Sequence, residues 1–228
     1  MTLKGFDSLR GRFITFEGGE GSGKSTHVAA LGKRLEKLGI DVVLTREPGG
    51  SAGAEIIRHI LLSGIAKPLG AETEAILFAA ARDDHVRSSI RPALLDGKWV
   101  ICDRFIDSTR VYQGALGKVD GKLIRGLERV TVGAAMPDLT FILDVPAKVG
   151  LARAKRRRGK GATDRFEAES IQFHEALREA YASLAANEPK RCVVIDGRAP
   201  RDVVAERIWS AVVERLHPEP RVAETAAP

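Results

Sequence analysis

The sequence contains little cysteine and no long hydrophobic run. Two cysteines among 228 residues exclude a disulfide-stabilised small scaffold. Neither Cys102 nor Cys192 has a histidine or cysteine at zinc-ligand spacing, so we expect two buried, reduced thiols. No apolar run reaches the roughly 18 residues that cross a bilayer, and residues 1–12 lack the apolar segment of a secretory signal. The sequence therefore predicts a cytoplasmic protein without a membrane partner.

The balance of charge favours an anionic partner. Hydrophobic residues make up 44% and charged residues 29% of the chain, which is ordinary globular composition and excludes a disordered protein. Lysine and arginine number 36 against 30 acidic residues, which gives a net charge of +6. A mildly basic protein suits a nucleic acid, a membrane surface or a small molecule that carries phosphate. Charge alone leaves these three classes open.

Short, nearly continuous apolar runs alternate with helical patterns along the chain. Such runs are typical of buried parallel strands, and alternation with helices predicts right-handed βαβ units. We therefore expect an α/β fold with a five-stranded parallel sheet flanked by helices. The predicted strands are Phe13–Phe16, Val42–Leu44, Trp99–Ile101, Thr140–Leu143 and Val193–Ile195.

Helical periodicity and composition set the predicted domain boundaries. A helix is expected over 28–38 with Gly39 as its cap, and a longer one over 74–95 that Pro92 kinks or restarts. Residues 172–186 and 203–216 also have helical patterns. The predicted organisation is an N-terminal extension over 1–11, a single domain over 12–216 and a disordered tail over 217–228.

A glycine-rich sequence directly follows the first predicted strand. It fits the P-loop pattern GxxxxGK[ST] in the required strand–loop–helix context. Glycines let backbone N–H groups converge on phosphate oxygens, and the helix start adds a positive dipole end. Lys24 is expected to reach the β- and γ-phosphates, and the Ser25 hydroxyl to ligate Mg²⁺. The residues predicted to bind a nucleoside triphosphate are Gly18, Gly19, Glu20, Gly21, Ser22, Gly23, Lys24, Ser25 and Thr26.

Four further motifs give the sequence a family resemblance. They are Thr45–Gly50 (TREPGG), Phe78–Arg82 (FAAAR), Asp103–Phe105 (DRF) and Tyr112–Gly114 (YQG). Together with the P-loop, they resemble the thymidylate kinase family in order and spacing, from about Arg12 to Leu216. The resemblance implies a P-loop nucleoside monophosphate kinase that transfers the γ-phosphoryl of ATP to dTMP, giving dTDP and ADP for dTTP synthesis. It also implies Mg²⁺ as cofactor and a homodimer, with helices near 72–95 as candidates for packing between subunits.

The resemblance assigns roles around the acceptor phosphate. Arg58 and Arg104 match the family's phosphate clamps, and a guanidinium can hold a phosphate through two hydrogen bonds. Glu20 matches an acid that meets the acceptor 3′-hydroxyl or organises metal and water. Asp103 matches the carboxylate that holds Mg²⁺ through water. On residue type alone, Arg58 also fits a solvated helix face, Glu20 a solvent-pointing loop acid and Asp103 a strand-end cap.

The resemblance also assigns readers of the base and sugar. Phe78 matches the aromatic residue that stacks on thymine, and Arg82, four residues later, is placed to donate to the thymine O4. Gln113 can pair with the N3–H edge, and Thr109 is a weaker candidate for the same pocket. Tyr112 matches the tyrosine beneath the sugar, whose bulk disfavours a 2′-hydroxyl. Without the motif, Phe78 fits a core residue equally well.

A basic segment precedes the predicted helix over 172–186. Its position matches the family's lid, at about 153–166. The P-loop offers no arginine of its own, so the cation expected beside the transferring phosphoryl must come from the lid; this matches the bacterial subtype with lid arginines. Arg157 or Arg158 is the expected transition-state cation, and Arg153 a candidate on the adenine side. The segment has one acidic residue, Asp164. Its basic residues are Arg153, Lys155, Arg156, Arg157, Arg158, Lys160 and Arg165.

Three alternatives remain at this point. A related small kinase could act on dCMP, AMP, GMP or an alcohol, but the TREPGG and YQG motifs discriminate against it. A regulatory P-loop switch has no acceptor site, so it would give Phe78, Arg82 and Arg104 no function. A nucleic-acid binder would use the basic segment, but that segment has no interleaved aromatic residues, so we expect no nucleic-acid partner. The predicted catalytic residues are Lys24, Arg104, Arg157 and Arg158.

Overall fold

A computed structural model describes residues 11–159 and 165–219. Its five strands form one parallel sheet in the order β2-β3-β1-β4-β5. The predicted α/β fold with a five-stranded parallel sheet is therefore confirmed. The strands are β1 (Phe13–Glu17), β2 (Val42–Arg46), β3 (Trp99–Asp103), β4 (Leu139–Asp144) and β5 (Cys192–Asp196).

Each strand extends one or two residues beyond its predicted C-terminal end. The added terminal residue is charged in every strand: Glu17, Arg46, Asp103, Asp144 and Asp196. An apolar run ends where the side chains become polar, whereas the ladder of backbone hydrogen bonds continues. The carboxyl edge of the sheet therefore carries a row of charged side chains, which is where α/β folds bind ligands.

The helices cover both faces of the sheet. The predicted helix over 74–95 is three successive segments: an α-helix over Gly70–His85, a π-helical turn at Val86–Ile90 and a short α-helix over Arg91–Leu95, in which Pro92 lies at the start. Gly39 follows the first helix with a positive φ of 76°, as its predicted capping role requires. The α-helices are α1 (Lys24–Glu36), α2 (Ala52–Leu62), α3 (Gly70–His85), α4 (Arg91–Leu95), α5 (Ile106–Thr109), α6 (Gly121–Thr131), α7 (Ala147–Arg158), α8 (Ile171–Asn187) and α9 (Arg201–Leu216).

The core lies on both sides of the sheet. On one side, Ile14 and Phe16 of β1 pack in a cluster with residues of α1 and α9, including Leu35 and Val212. On the other side, Phe13 belongs to a cluster with the segment from the π-helical turn to α4 and with Phe105. Burial on both faces explains why the strands are apolar without alternation.

Other sequence expectations have structural outcomes. Cys102 and Cys192 are both buried and unpaired, as expected. Within the part of the chain that the structure describes, none of the helices has the length and apolar character needed to span a membrane. The extension over 1–11 and the tail over 217–228 lie almost entirely outside the described residues, as do Lys160 and Asp164 of the lid.

Candidate active site

A cavity at the carboxyl edge of the sheet brings together most of the predicted site residues. All eight residues predicted to bind the acceptor line it. The two predicted magnesium ligands also line it, and so do Lys24 and Arg157. The acceptor residues are Glu20, Arg58, Phe78, Arg82, Arg104, Thr109, Tyr112 and Gln113. They come from the P-loop, α2, α3 and the segment that follows β3, which the parallel sheet brings to one edge.

The P-loop holds its lysine inside the loop. Lys24 is buried, and its ammonium donates to the carbonyl oxygens of Gly18 and Gly19 at 3.1 and 2.9 Å. Burial, together with the nearby guanidinium of Arg104, lowers the pKa of Lys24 to about 8, against the opposing effect of Glu20 and other acids. The loop thus keeps a cation at the point where helix α1 begins.

Ser25 and Asp103 form an oxygen-rich pair. The Ser25 hydroxyl donates to the Asp103 carboxylate although the two residues are 78 positions apart. The hydroxyl follows the loop lysine, and the carboxylate ends β3. Hydroxyl and carboxylate oxygens are the donors that Mg²⁺ prefers. These two residues therefore fit the magnesium ion that the resemblance implies.

Arg104 and Glu20 form an ion pair in the wall of the cavity. Arg104 Nη2 lies 2.5 Å from Glu20 Oε1, and both side chains are 15% exposed. Burial opposes the charged form of Glu20, but the cations around it, chiefly Arg104 and then Lys24, outweigh burial and lower its pKa to about 2. Arg104 has a φ of +69°, in the left-handed region that non-glycine residues rarely adopt. The backbone there turns sharply at the end of β3.

Glu17 was not predicted to belong to the site. It ends β1 directly before the P-loop, its side chain is fully buried, and it accepts hydrogen bonds from the residues that follow Arg104. Burial, reinforced by the nearby Asp107, raises its pKa to about 7. The sequence feature that could have identified Glu17 is its position as the single charged residue at the end of an apolar strand.

Arg82 is held by two buried side chains: Thr109, a predicted site residue, and Glu47, for which the sequence predicted no role. Its Nε donates to Glu47 Oε2 at 2.9 Å, and its Nη2 donates to Thr109 Oγ1 at 2.9 Å. The other oxygen of Glu47 lies 3.1 Å from His85 Nδ1, and His85 Nε2 lies 2.7 Å from Thr45 Oγ1. This chain of contacts joins the TREPGG turn to helix α3 and fixes the guanidinium in the wall of the cavity.

Arg58 faces the cavity from α2. Its Nη1 donates to the carbonyl oxygen of Pro48 at 2.5 Å, and it is half-buried. Pro48 follows a cis peptide bond with Glu47. A solvated helix face, the alternative reading of Arg58, does not describe this position.

Three aromatic rings form an apolar part of the cavity. Phe166 packs edge-on against Tyr112 with centroids 5.3 Å apart, and lies 6.1 Å from the ring of Phe78. All three rings line the cavity. Phe166 lies just beyond the lid cations and was not predicted to line a binding site.

Helix α7 packs directly on the P-loop and carries the first lid arginines. A Cβ on Gly21 would lie 2.0 Å from the Gly150 oxygen, and a Cβ on Gly150 would lie 2.3 Å from the Glu20 oxygen. Only glycine at both positions permits this approach of the two backbones. Arg153 and Arg157, one and two turns beyond Gly150, are thereby placed beside the loop.

A second cavity also borders the P-loop. It is lined by Gly21–Gly23 and Thr26, by Arg153 and Arg157 of α7, and by the turn at Gly197. Arg153 donates to the Gly197 oxygen at 3.0 Å. Arg157 lines both cavities, so its side chain stands where they meet.

The two predicted transition-state arginines differ in their surroundings. Arg157 is exposed at the junction of the cavities and contributes to the low pKa of Glu20. Arg158 forms an ion pair with the largely buried Glu167 and does not occur among the described residues that line either cavity. Arg165, at the far end of the lid, pairs with the buried Glu74 of α3.

Comparisons with known proteins point to a single family. The family model described as thymidylate kinase matches residues 16–208. A thymidylate kinase of Bradyrhizobium sp. (strain ORS 278) is 62% identical over 207 residues, covering 91% of this chain and 92% of the relative. One from Nitrobacter winogradskyi is 62% identical over 209 residues, covering 92% and 91%. A crystal structure of thymidylate kinase from Ehrlichia chaffeensis superimposes with a TM-score of 0.70 at 34% identity, covering 89% of this chain and 98% of that one.

Proposed function

This chain belongs to the thymidylate kinase family and is a dTMP kinase, and we propose that its two cavities hold the two nucleotides of the reaction. The observation that carries the proposal is the position of Arg157, which lines both cavities. The first cavity, with its aromatic rings and the guanidinium groups of Arg58, Arg82 and Arg104, suits dTMP. The second suits the adenine end of ATP, with the phosphates on the P-loop between them.

The P-loop is proposed to bind the triphosphate of ATP. Gly23 has no side chain to cap α1, so the first N–H groups of the helix are available to phosphate oxygens. Lys24 would exchange its two carbonyl contacts for the β- and γ-phosphates. Arg153 would lie against the adenine side. Ser25 and Asp103 would hold Mg²⁺, which when bound neutralises charge on the phosphates.

The acceptor is proposed to lie with its phosphate between Arg58 and Arg104. Phe78 would stack on thymine, with Tyr112 beneath the sugar. Arg82 cannot turn freely, because Glu47 and Thr109 hold its guanidinium, so it presents a fixed donor edge. Gln113 and Thr109 would complete recognition of the base, and Glu20 would meet the 3′-hydroxyl or the metal-bound water.

The residues act on the reaction by positioning and by charge. The nucleophile is an oxygen of the dTMP phosphate, which needs no strong general base. Two repelling anions must be brought into line, and the surrounding cations offset their repulsion. Arg157 is the proposed transition-state cation, because it lies at the junction where the phosphoryl group would move. The assignment agrees with the bacterial subtype that uses lid arginines.

We also propose that the protein acts as a cytoplasmic homodimer. Large apolar side chains are exposed on and between α2 and α3: Ile56, Ile65, Leu69 and Ile76. Solvent exposure of several such side chains favours a protein partner, and a second copy is the partner that the family resemblance implies. Two unpaired, buried thiols suit a reducing compartment.

Crossed substitutions test the two-cavity proposal. Phe78→Ala is expected to raise the KM for dTMP roughly tenfold, because loss of a stacking face costs about 1–3 kcal/mol per base, and to leave the KM for ATP unchanged. Arg153→Ala is expected to do the reverse. Steady-state kinetics with each substrate varied in turn measure both values. Equal changes in both KM values for either variant would contradict the proposal.

The pKa of Lys24 predicts proton uptake on ATP binding. In the free enzyme about half of the Lys24 side chains have lost their proton near pH 8, well below the ordinary pKa of 10.5. Bound phosphates favour the charged form, so at pH 8.5 ATP binding should take up roughly half a proton or more. Calorimetry in buffers of different ionisation enthalpy measures this uptake.

The same linkage fixes the sign of the pH effect. ATP affinity should weaken as pH rises from 8 to 10, because the free enzyme then holds a neutral Lys24. The free energy of unfolding should instead increase as pH rises through that window, because the folded protein has lost the Lys24 proton while the unfolded chain keeps it up to about pH 10.5. Lys24→Arg is the control, because a guanidinium stays protonated throughout. Wild-type binding enthalpy that does not depend on the buffer at pH 8.5 would refute the prediction.

A further inference from the structure

Glu17 is a buried carboxylate with a complete set of hydrogen-bond donors. Its Oε1 accepts from the backbone N–H groups of Phe105 and Ser108 at 2.7 and 3.2 Å. Its Oε2 accepts from the hydroxyls of Ser108 and Tyr181 at 2.7 and 2.9 Å. Burying a carboxylate is costly, and four donors to one side chain are the kind of compensation it requires.

The two hydroxyls that bind Glu17 also contact Arg104. Arg104 Nη1 donates to Ser108 Oγ at 3.2 Å and to Tyr181 Oη at 3.4 Å. Each hydroxyl has one hydrogen, which it gives to Glu17, so its lone pairs are left to face the guanidinium. When ionised, Glu17 accepts at both carboxylate oxygens and thus sets the direction of both hydroxyls.

We propose that Glu17 is a positioning residue for phosphoryl transfer, which fixes the turn and the guanidinium of Arg104 through Ser108 and Tyr181. The backbone contacts hold the turn in which Arg104 has its positive φ, and the hydroxyls hold one edge of its guanidinium. Glu20 holds the other edge, through Nη2. The inference rests on the proposed function, in which Arg104 clamps the acceptor phosphate.

The guanidinium needs this second support because Glu20 alone does not fix its plane. One ion pair leaves a guanidinium free to rotate about the contact, whereas supports on two edges define its orientation. Misplacement of a catalytic group by about 1 Å can cost on the order of 100-fold in rate. Glu17 therefore acts on the acceptor without touching it.

Glu17→Gln tests the proposal with little change in side-chain volume. The amide NH₂ avoids the two backbone N–H groups and so faces the hydroxyls, whose hydrogens must then turn toward Arg104. We expect the KM for dTMP to rise and kcat to fall, so that kcat/KM drops roughly 10- to 100-fold, with the KM for ATP unchanged. A merely destabilised protein would instead lose active molecules, which lowers kcat and leaves the KM for dTMP unchanged.

Thr15→Val is the matched control. Thr15 lies two residues earlier in β1, is fully buried and shares a 2.7 Å hydrogen bond with Thr140 rather than with Ser108, Tyr181 or the guanidinium of Arg104. The Thr15→Val substitution should lower the melting temperature of the protein without changing the KM for dTMP. If Glu17→Gln yields no folded protein, Tyr181→Phe removes one of the two hydroxyls without adding a donor, and a smaller rise in the same KM is expected.

A double-mutant cycle with Arg104→Ala decides the outcome. If Glu17 acts through Arg104, the Glu17→Gln effect on kcat/KM for dTMP should be lost when Arg104 is absent. An effect of full size in the Arg104→Ala background would overturn the inference while leaving the proposed function in place. If Arg104→Ala alone leaves the KM for dTMP unchanged, the assignment of Arg104 as clamp fails, and the inference falls with it.

Discussion

Replacing Lys24 with alanine is expected to lower kcat by about 10³-fold or more, the cost that removal of one preorganised transition-state donor can reach. Lys24 is the buried cation of the P-loop, and its two carbonyl contacts hold it beside the site proposed for the phosphates. Other cations nearby lie on the acceptor side or on α7 and cannot take its place. A coupled assay of ADP release measures the loss.

The fold should survive the Lys24→Ala substitution. Burial lowers the pKa of Lys24 to about 8, which means that the folded state disfavours this charge, so its removal costs little stability. Lys33→Ala is the matched control, since Lys33 lies on the same helix with an exposed side chain. Turnover within tenfold of wild type in Lys24→Ala would contradict the role assigned to the P-loop lysine.

Replacing Arg157 with alanine is expected to lower kcat by about 10³-fold, the lower end of the range measured for arginines that stabilise a transferring phosphoryl. The KM for dTMP should change only a few-fold, because Arg157 meets the acceptor chiefly as the phosphoryl moves. The physical reason is its place at the junction of the two cavities. Single-turnover kinetics separate this chemical step from product release.

Arg158→Ala provides the comparison with Arg157→Ala. Arg158 is paired with Glu167. The decrease in kcat in Arg158→Ala should therefore resemble the decrease in Glu167→Gln and be smaller than the decrease in Arg157→Ala. A larger loss in Arg158→Ala than in Arg157→Ala would reverse the assignment. Full activity in both single variants and in the double variant would refute the idea that the lid supplies the cation.

The order of strands and helices was predictable because burial on two faces leaves a strong local signal. Apolar runs located all five strands, yet the predicted bounds left out the charged residues that end them. Those residues look like loop residues in the sequence, since the backbone pairing that includes them comes from a distant strand. Glu17 and Asp103 show the consequence: both end strands, Asp103 lines the cavity, and Glu17 lies behind it and holds the turn that follows Arg104.

Motifs predicted which residues line the site but not what holds them. Glu47 lies in the TREPGG motif and Arg82 in the FAAAR motif. Their contact joins residues 35 positions apart, so only the folded structure could show it. His85 lies three residues beyond Arg82 and carried no motif. Likewise, the sequence left Arg157 and Arg158 equivalent, and the pairing of Arg158 with Glu167 separated them.

The central claim is that one chain holds dTMP beside a nucleoside triphosphate, with cations between them. Calorimetric titration of dTMP into the enzyme saturated with Mg²⁺ and a non-hydrolysable ATP analogue tests this claim most directly. We predict one dTMP bound per chain, with affinity reduced at least about tenfold in Arg104→Ala, the loss expected when one charge-assisted phosphate contact is removed. Binding of the ATP analogue without any binding of dTMP, or dTMP affinity that is equal in wild type and Arg104→Ala, would contradict it.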